Sequence, residues 1–228
     1  MSKAIVSLSG GMDSVTLLAF ALQELGVENV EAVGFSYGSK HNKYENAAAH
    51  AVAKHYGVPF KLIDFTSIAA GFTSHLLKDG GAIPEGHYEA ASMAQTVVPG
   101  RNIIFAAILS GLAWSRDVKH VYLGIHSGDH AIYPDCRPAF FYAMKAALMA
   151  GTDNRVNLLA PFLQDDKTKI IKWGLQHDVP YNMTRTCYQD AITACGRCGA
   201  CQERLAAFAA NGIEDPIPYQ SRVILPKE

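Results

Sequence analysis

The chain is poor in charge. Asp, Glu, Lys and Arg make up only 18% of its 228 residues, whereas 49% are hydrophobic, and an average globular protein carries roughly 25% charged residues. A chain so composed has ample apolar surface to bury, which excludes intrinsic disorder. An excess of either sign is also missing, since 20 Lys and Arg stand against 21 Asp and Glu. No basic surplus is available to hold nucleic acid or an anionic membrane by counterion release. The longest nearly apolar run, residues 103–114, is broken by Ser110 and Gly111. It falls short of the roughly 20 residues that cross a bilayer and reads as a buried helix. Repeats, low-complexity tracts and Pro/Ser-rich linkers are absent. At roughly 150 residues per domain, the length predicts one large domain with a small appendage, and the clustered cysteines place the division at a main unit over 1–180 and a C-terminal module over 181–228. Ser9, Gly10, Gly11 and Asp13 come too early for a signal core, so a cytoplasmic protein is expected. Cysteine is sparse, and three of the five lie between positions 195 and 201, a pattern for metal rather than for a disulfide framework.

The N-terminal half alternates short β-branched runs with longer amphipathic stretches, the pattern of a parallel sheet with crossover helices. Strands are predicted over 4–8, 30–35, 60–64, 120–125 and 156–159, with 60–64 read as a short buried strand. Helices are predicted over 14–25, 42–56, 102–115, 138–150, 166–177 and about 202–210, with Gly26 and Gly57 stopping the first two. Residues 71–99 lose periodicity and collect Gly71, Gly80, Gly81, Pro84 and Gly86. So long a segment is not a passive connection and reads as a lid or pocket wall.

The first strand runs directly into Ser9-Gly10-Gly11-Met12-Asp13-Ser14 and then a helix. Glycines let the backbone approach an anion, and N–H groups, the Ser9 and Ser14 hydroxyls and the positive helix end converge there. Leu8 and Met12 flank this cradle. The pattern is neither Gly-x-x-x-x-Gly-Lys-[Ser/Thr] nor Gly-x-Gly-x-x-Gly.

Cys187, Cys195, Cys198 and Cys201 are spaced to converge on one ion. Four thiolates suit a structural zinc, whose filled shell leaves no position for water. An iron–sulfur cluster is the rival reading. Arg185, Arg197 and Arg204 can offset the thiolate charge, and Cys136 stands apart.

Pro99-Gly100-Arg101-Asn102 puts a permanent cation and an amide at a helix start, an arrangement for triphosphate or carboxylate recognition. His126, Asp129, His130, Tyr133, Asp135 and Arg137 follow the fourth strand, at the end where open α/β sheets bind ligands. Lys167, behind Asp165 and Asp166 at a helix start, can reach a phosphate. His41 opens the second crossover helix and is carried as a minor candidate.

The hexapeptide 9–14 resembles the pyrophosphate loop of the PP-loop ATP pyrophosphatase superfamily, whose members transfer AMP from ATP to an oxygen of the substrate. Adding Val98-Pro99-Gly100-Arg101-Asn102, Tyr133-Pro134-Asp135-Cys136-Arg137 and Cys187-Tyr188 with the 195–201 cysteines, the chain resembles the QueC family, the 7-cyano-7-deazaguanine synthases. The resemblance implies a Rossmann-like, HUP-type α/β sheet with a four-cysteine zinc module. It also implies an ATP-dependent carbon–nitrogen ligase that joins 7-carboxy-7-deazaguanine and ammonia to make the nitrile preQ0. By the same resemblance Leu8, Ser9, Gly10, Gly11, Met12, Asp13, Ser14, Phe35 and His41 would meet ATP, with Phe35 near adenine and Asp13 on Mg2+ or capping the helix. Arg101, Arg137 and Lys167 would stabilise developing charge. Asn102, Asp129, His130, Tyr133 and Asp135 would meet the deazaguanine, with Asp129 or Asp135 reading its guanine edge. Zn2+ would sit on the four cysteines, and family members are commonly homodimers. Met12, residues 128–132 and Ala139 depart from the family pattern. They leave open a ligase that stops at the amide or passes the acyl group to another amine, including a protein. A PP-loop tRNA-modifying enzyme is a further alternative.

Overall fold

The computed structural model describes residues 3–225. Five strands form one parallel sheet: β1 (Ala4–Ser7), β2 (Val30–Ser36), β3 (Phe60–Asp64), β4 (His120–Tyr122) and β5 (Asn157–Leu159), in the order β3-β2-β1-β4-β5. The crossover helices are α1 (Met12–Leu25), α2 (Asn42–Tyr56), the single turn α3 (Thr66–Ala69), α4 (Arg101–Ser115), α5 (Pro138–Gly151) and α6 (Lys167–Gln176). After them comes α7 (Gly199–Ala210), behind the cysteines. The expected βα alternation is therefore what the chain forms. β1 leads out to β2 and β3 on one side, and the chain then crosses to β4 and β5 on the other. The reversal at β1 and β4 opens a crevice at their carboxyl ends, the position where open sheets bind ligands.

β1 reads as a continuous apolar run because both its faces are covered, and Ile5 and Val6 are fully buried. β3 corrects the expectation of a buried strand. It is the sheet edge, with Lys61, Leu62 and Asp64 exposed, because only β2 pairs with it. The apolar run in α4 is likewise buried on one side only, through Ala106, Leu109 and Ala113, while Ile103 and Trp114 face outward. The wider stretch Ala91–Ser115 is long and apolar enough to span a membrane by composition. It is broken, however, between the 3-10 turn Ala91–Thr96 and α4, where Gly100 has φ +64°.

The lid segment has its own anchors. Lys40 Nζ donates to the carbonyls of His75 (2.8 Å), Gly80 (3.1 Å) and Gly81 (2.5 Å). Farther along, the Gly86 N–H donates to Arg197 O (3.0 Å), so the lid rests on the cysteine module. The cysteine-bearing segment is tied in turn to the sheet and its helices, because α7 packs on α6 and the Arg185 N–H donates to Gly10 O at 2.8 Å.

Candidate active site and cysteine centre

Gly10 shapes the loop after β1. Its φ is +88°, and a Cβ there would lie 2.5 Å from Glu45 O and 2.6 Å from Ala49 N, so only glycine lets the turn lie against α2. Ser14 Oγ donates to Gly11 O (3.0 Å) and accepts from the Ser9 N–H (3.2 Å), and the two serine hydroxyls lie 3.1 Å apart. Gly11 caps α1 without a side-chain bond, which leaves the first amides of the helix open to an anion.

Arg101, at the start of α4, lines the same cleft as this loop. Among the described residues no carboxylate lies within ion-pair distance of its guanidinium. Its neighbours are the phenol of Tyr37 and the Tyr133 ring, whose centroid is 5.8 Å away. Burial opposes the charge on Arg101, but Tyr37, Tyr133 and Asp135 hold its pKa well above the ordinary value. It is a charged donor facing the cleft with no anion of its own.

Lys167 is the contrary case. It is 6% exposed, and its Nζ lies 3.2 Å from Asp13 Oδ2 and 2.5 Å from Glu203 Oε2. Burial again opposes the charge, and Asp13, Glu203 and Asp129 reverse it. Asp13 is held below the usual carboxylate range because Lys167 and His126 outweigh its burial. His126 Nε2 lies 3.6 Å from Asp13 Oδ2 and 3.5 Å from Asp129 Oδ2. Against burial, the two carboxylates would draw a second proton onto the ring up to about pH 9. The Gly128 N–H, however, donates to Nδ1 (3.1 Å), where that proton would go, so the geometry favours the neutral Nε2–H tautomer. Asp129 Oδ1 accepts from the lid hydroxyl of Tyr88 at 2.5 Å.

Of the residues singled out in the sequence, Leu8, Ser9, Gly11, Asp13, Ser14, Phe35, His41, Arg101, Asn102, Asp129, Tyr133 and Lys167 line one cleft. Phe35 stacks on Phe105 with ring centroids 4.0 Å apart, and His41 is tied to Glu45 (3.3 Å) beside the Tyr188 ring. Gly10 and Met12 are buried and do not line the cleft. Three others point elsewhere. Asp135 Oδ2 accepts from the Asn102 N–H (2.8 Å) and caps α4. Arg137 is exposed and donates through Nε to His130 O (2.8 Å). The His130 ring lies outside the cleft, with Nε2 buried and unbonded. Glu203 and Tyr88 were not singled out. Glu203 lies in the helix predicted over about 202–210, to which the sequence assigns no site role, and Tyr88 sits in the aperiodic segment 71–99.

The Sγ atoms of Cys187, Cys195, Cys198 and Cys201 all lie within 4.8 Å of one another, buried and without disulfides. Cys195 Sγ and Cys201 Sγ are 3.9 Å apart, close to the roughly 3.8 Å edge of a tetrahedron with Zn–S bonds of about 2.3 Å. The N–H groups of Cys195 (3.3 Å) and Gln189 (3.4 Å) donate to Cys187 Sγ, and those of Cys198 (3.3 Å) and Arg197 (3.4 Å) to Cys195 Sγ. Thiolates accept such bonds, and the donor set fits a metal. Gly196 makes the turn possible, since at φ +75° a Cβ would lie 1.6 Å from Ser221 O.

The family model described as queuosine biosynthesis protein QueC matches residues 3–212. The 7-cyano-7-deazaguanine synthase of Alteromonas mediterranea is 45% identical over 216 residues, covering 95% of this chain and 98% of its own. A second such synthase, from Colwellia psychrerythraea, is 46% identical over 220 residues, covering 96% and 99%. Among solved structures, NMN synthetase from Francisella tularensis aligns with a TM-score of 0.49 and 13% identity, over 93% of this chain and 78% of that one.

Proposed function

Because the chain belongs to the QueC family, we propose that it is an ATP-dependent carbon–nitrogen ligase that converts 7-carboxy-7-deazaguanine and ammonia to 7-cyano-7-deazaguanine, in queuosine biosynthesis. The observation that carries this reading is the Arg101 guanidinium, unpaired by any carboxylate among the described residues and lining the same cleft as the loop after β1. A carboxylate is a poor electrophile because its leaving group would be oxide. Arg101 supplies the counter-ion for the substrate acid, and the loop amides with Ser9 and Ser14 hold the phosphates. The acid oxygen attacks the α-phosphorus, the bond to the bridging oxygen breaks, and pyrophosphate leaves. Ammonia then adds to the acyl carbon, AMP departs with an oxygen that belonged to the acid, and loss of a proton leaves the amide. Adenylation of the amide oxygen by a second ATP, followed by departure of AMP and loss of two protons from nitrogen, gives the nitrile. Arg101 and Lys167 oppose the charge that develops at phosphorus.

Asp129 is the acid we assign to the guanine edge, exchanging its Tyr88 bond for the ring N–H and amino donors. Asp135 is occupied at the α4 cap. Mg2+ would be held by Asp13, whose Oδ1 is buried without a partner, and would screen phosphate charge. The four cysteines would hold Zn2+. Elemental analysis of the purified protein tests that assignment, with one zinc per chain and no iron expected.

Oxygen-18 in both carboxyl oxygens of the acid tests the mechanism. Two AMP are expected per nitrile, each carrying one label. Unlabelled AMP, or AMP formation independent of the acid, would overturn it.

A cytoplasmic homodimer completes the reading. α4 and α5 lie side by side, and α5 buries only Phe141. Ile103 (47%), Trp114 (46%) and Tyr142 (59%) are exposed, as is Ala146, an apolar face of the kind that marks an interface. Light scattering is expected to give twice the 24.7 kDa chain mass. Ala146→Glu, which puts a charge on that face, is expected to give the mass of one chain. A wild-type monomer would remove the assignment.

A further inference from the structure

We infer that Glu203, held by α7 against the cleft residue Lys167, is a positioning residue that sets where the Lys167 ammonium stands, an inference that rests on the ligase reading above. An ammonium has three donors and no acceptor. Glu203 Oε2 takes one at 2.5 Å and Asp13 Oδ2 lies 3.2 Å away. No other hydrogen bond to Nζ is made among the described residues, so the third donor is left for a ligand. The two carboxylates come from different helices, Asp13 from the first turn of α1 and Glu203 from α7.

Several features are arranged around this contact. α6, which begins at Lys167, packs on α7. The loop after β4 leaves room for the carboxylate, since a Cβ at Gly128 would lie 2.6 Å from Glu203 Oε1. Nζ also lies 5.6 Å from the centroid of the lid residue Tyr88. Without the pull of Glu203, the nearest anion to Nζ is Asp13, whose second oxygen has no partner. The ammonium would then move closer to Asp13, in the first turn of α1. Ground-state nucleotide binding rests mainly on the loop amides, so such a displacement lowers kcat more than it raises KM.

The competing account is that Glu203 merely balances the buried charge of Lys167. Two substitutions separate them. Glu203→Asp keeps the charge but shortens the reach by one methylene, whereas Glu203→Gln keeps the reach and an acceptor oxygen but loses the charge. Positioning predicts that Glu203→Asp loses about 30-fold in kcat, with KM for ATP within about threefold, and that Glu203→Gln stays within about threefold of wild type in kcat, magnitudes typical of one displaced charged group. The reverse order, equal impairment, or wild-type kcat in both overturns the inference. A crystal structure of Glu203→Asp gives a readout independent of turnover. Nζ is expected to have moved toward Asp13, and an unmoved Nζ refutes the inference. If wild-type protein forms no acid-dependent AMP, the ligase reading fails, while the Nζ position still decides the role of Glu203.

Discussion

An Arg101→Ala protein is expected to fold, to keep its metal, and to lose about three orders of magnitude in acid-dependent AMP formation, roughly 4 kcal/mol of transition-state stabilisation. Two features of the site set that expectation. First, among the described residues no carboxylate lies within ion-pair distance of Arg101, whereas Lys167 is shared between Asp13 and Glu203. On the proposed mechanism, the whole charge of Arg101 would therefore be available to the substrate acid and to the oxygens that gain charge at phosphorus. Second, its removal breaks no ion pair among the described residues. Asp135, the nearest acid in its surroundings, is bound to the Asn102 N–H, and the Tyr37 and Tyr133 rings are packed in the apolar core. The folding cost should stay within the 1–3 kcal/mol common for point substitutions. Arg101→Lys returns the charge without the planar fork and should recover only part of the rate. Quantifying AMP release at saturating ATP, with circular dichroism as the control for folding, decides the matter. Normal turnover in Arg101→Ala would place the acid elsewhere.

The sheet was legible because parallel strands buried on both faces leave unbroken β-branched runs, and because Gly26 and Gly57 punctuate the helices between them. Residue pattern says less about what lies beyond a strand, and β3 shows this. Phe60, Leu62 and Ile63 are as apolar as a central strand requires, yet the edge position follows from where the chain turns back, which no local pattern records. The cleft divides the same way. Ser9, Asp13, Ser14 and Arg101 belong to contiguous motifs at strand ends and helix starts, so their convergence follows from topology. Within 133–137 the direction of each side chain is set by a 3-10 turn (Pro134–Cys136) that sends Asp135 inward to cap α4 and Arg137 out over the His130 carbonyl. Composition and spacing are blind to that choice. Glu203 lies 36 residues from its partner Lys167 and Tyr88 lies 41 from Asp129, so their roles become visible only when the lid and the cysteine module are folded onto the sheet.

Arg204→Met should be the most destabilising single change in the C-terminal module, at about 3–5 kcal/mol. Arg204 is fully buried, and each of its five N–H donors has a taker. Nε and Nη2 clasp Asp215 at 2.6 and 2.9 Å, Nη1 reaches the hydroxyls of Thr184 (2.6 Å) and Thr186 (3.1 Å), and Nη2 reaches Tyr181 O (3.1 Å). Asp215 is also fully buried on its side chain. It keeps the Tyr219 hydroxyl (2.6 Å) and the Ile217 N–H (3.2 Å) as donors, but these do not cancel a charge. The loss should lower the melting temperature by about 10 °C, since 1 kcal/mol is worth roughly 2–4 °C in a chain of this size. Arg204→Met combined with Asp215→Leu removes both charges and should recover much of that loss, because an apolar pair replaces a buried ion pair at little net cost. Thermal unfolding of the two single variants and the double variant measures the coupling directly, and equal melting temperatures for Arg204→Met and wild type would sink the argument. The consequence reaches the cleft as well. Thr184 and Thr186 flank Arg185, whose N–H holds Gly10 O at 2.8 Å. Loosening Arg204 should therefore slacken the strap across the loop after β1, and on the ligase reading the single variant should lose ATP affinity at temperatures well below its own unfolding.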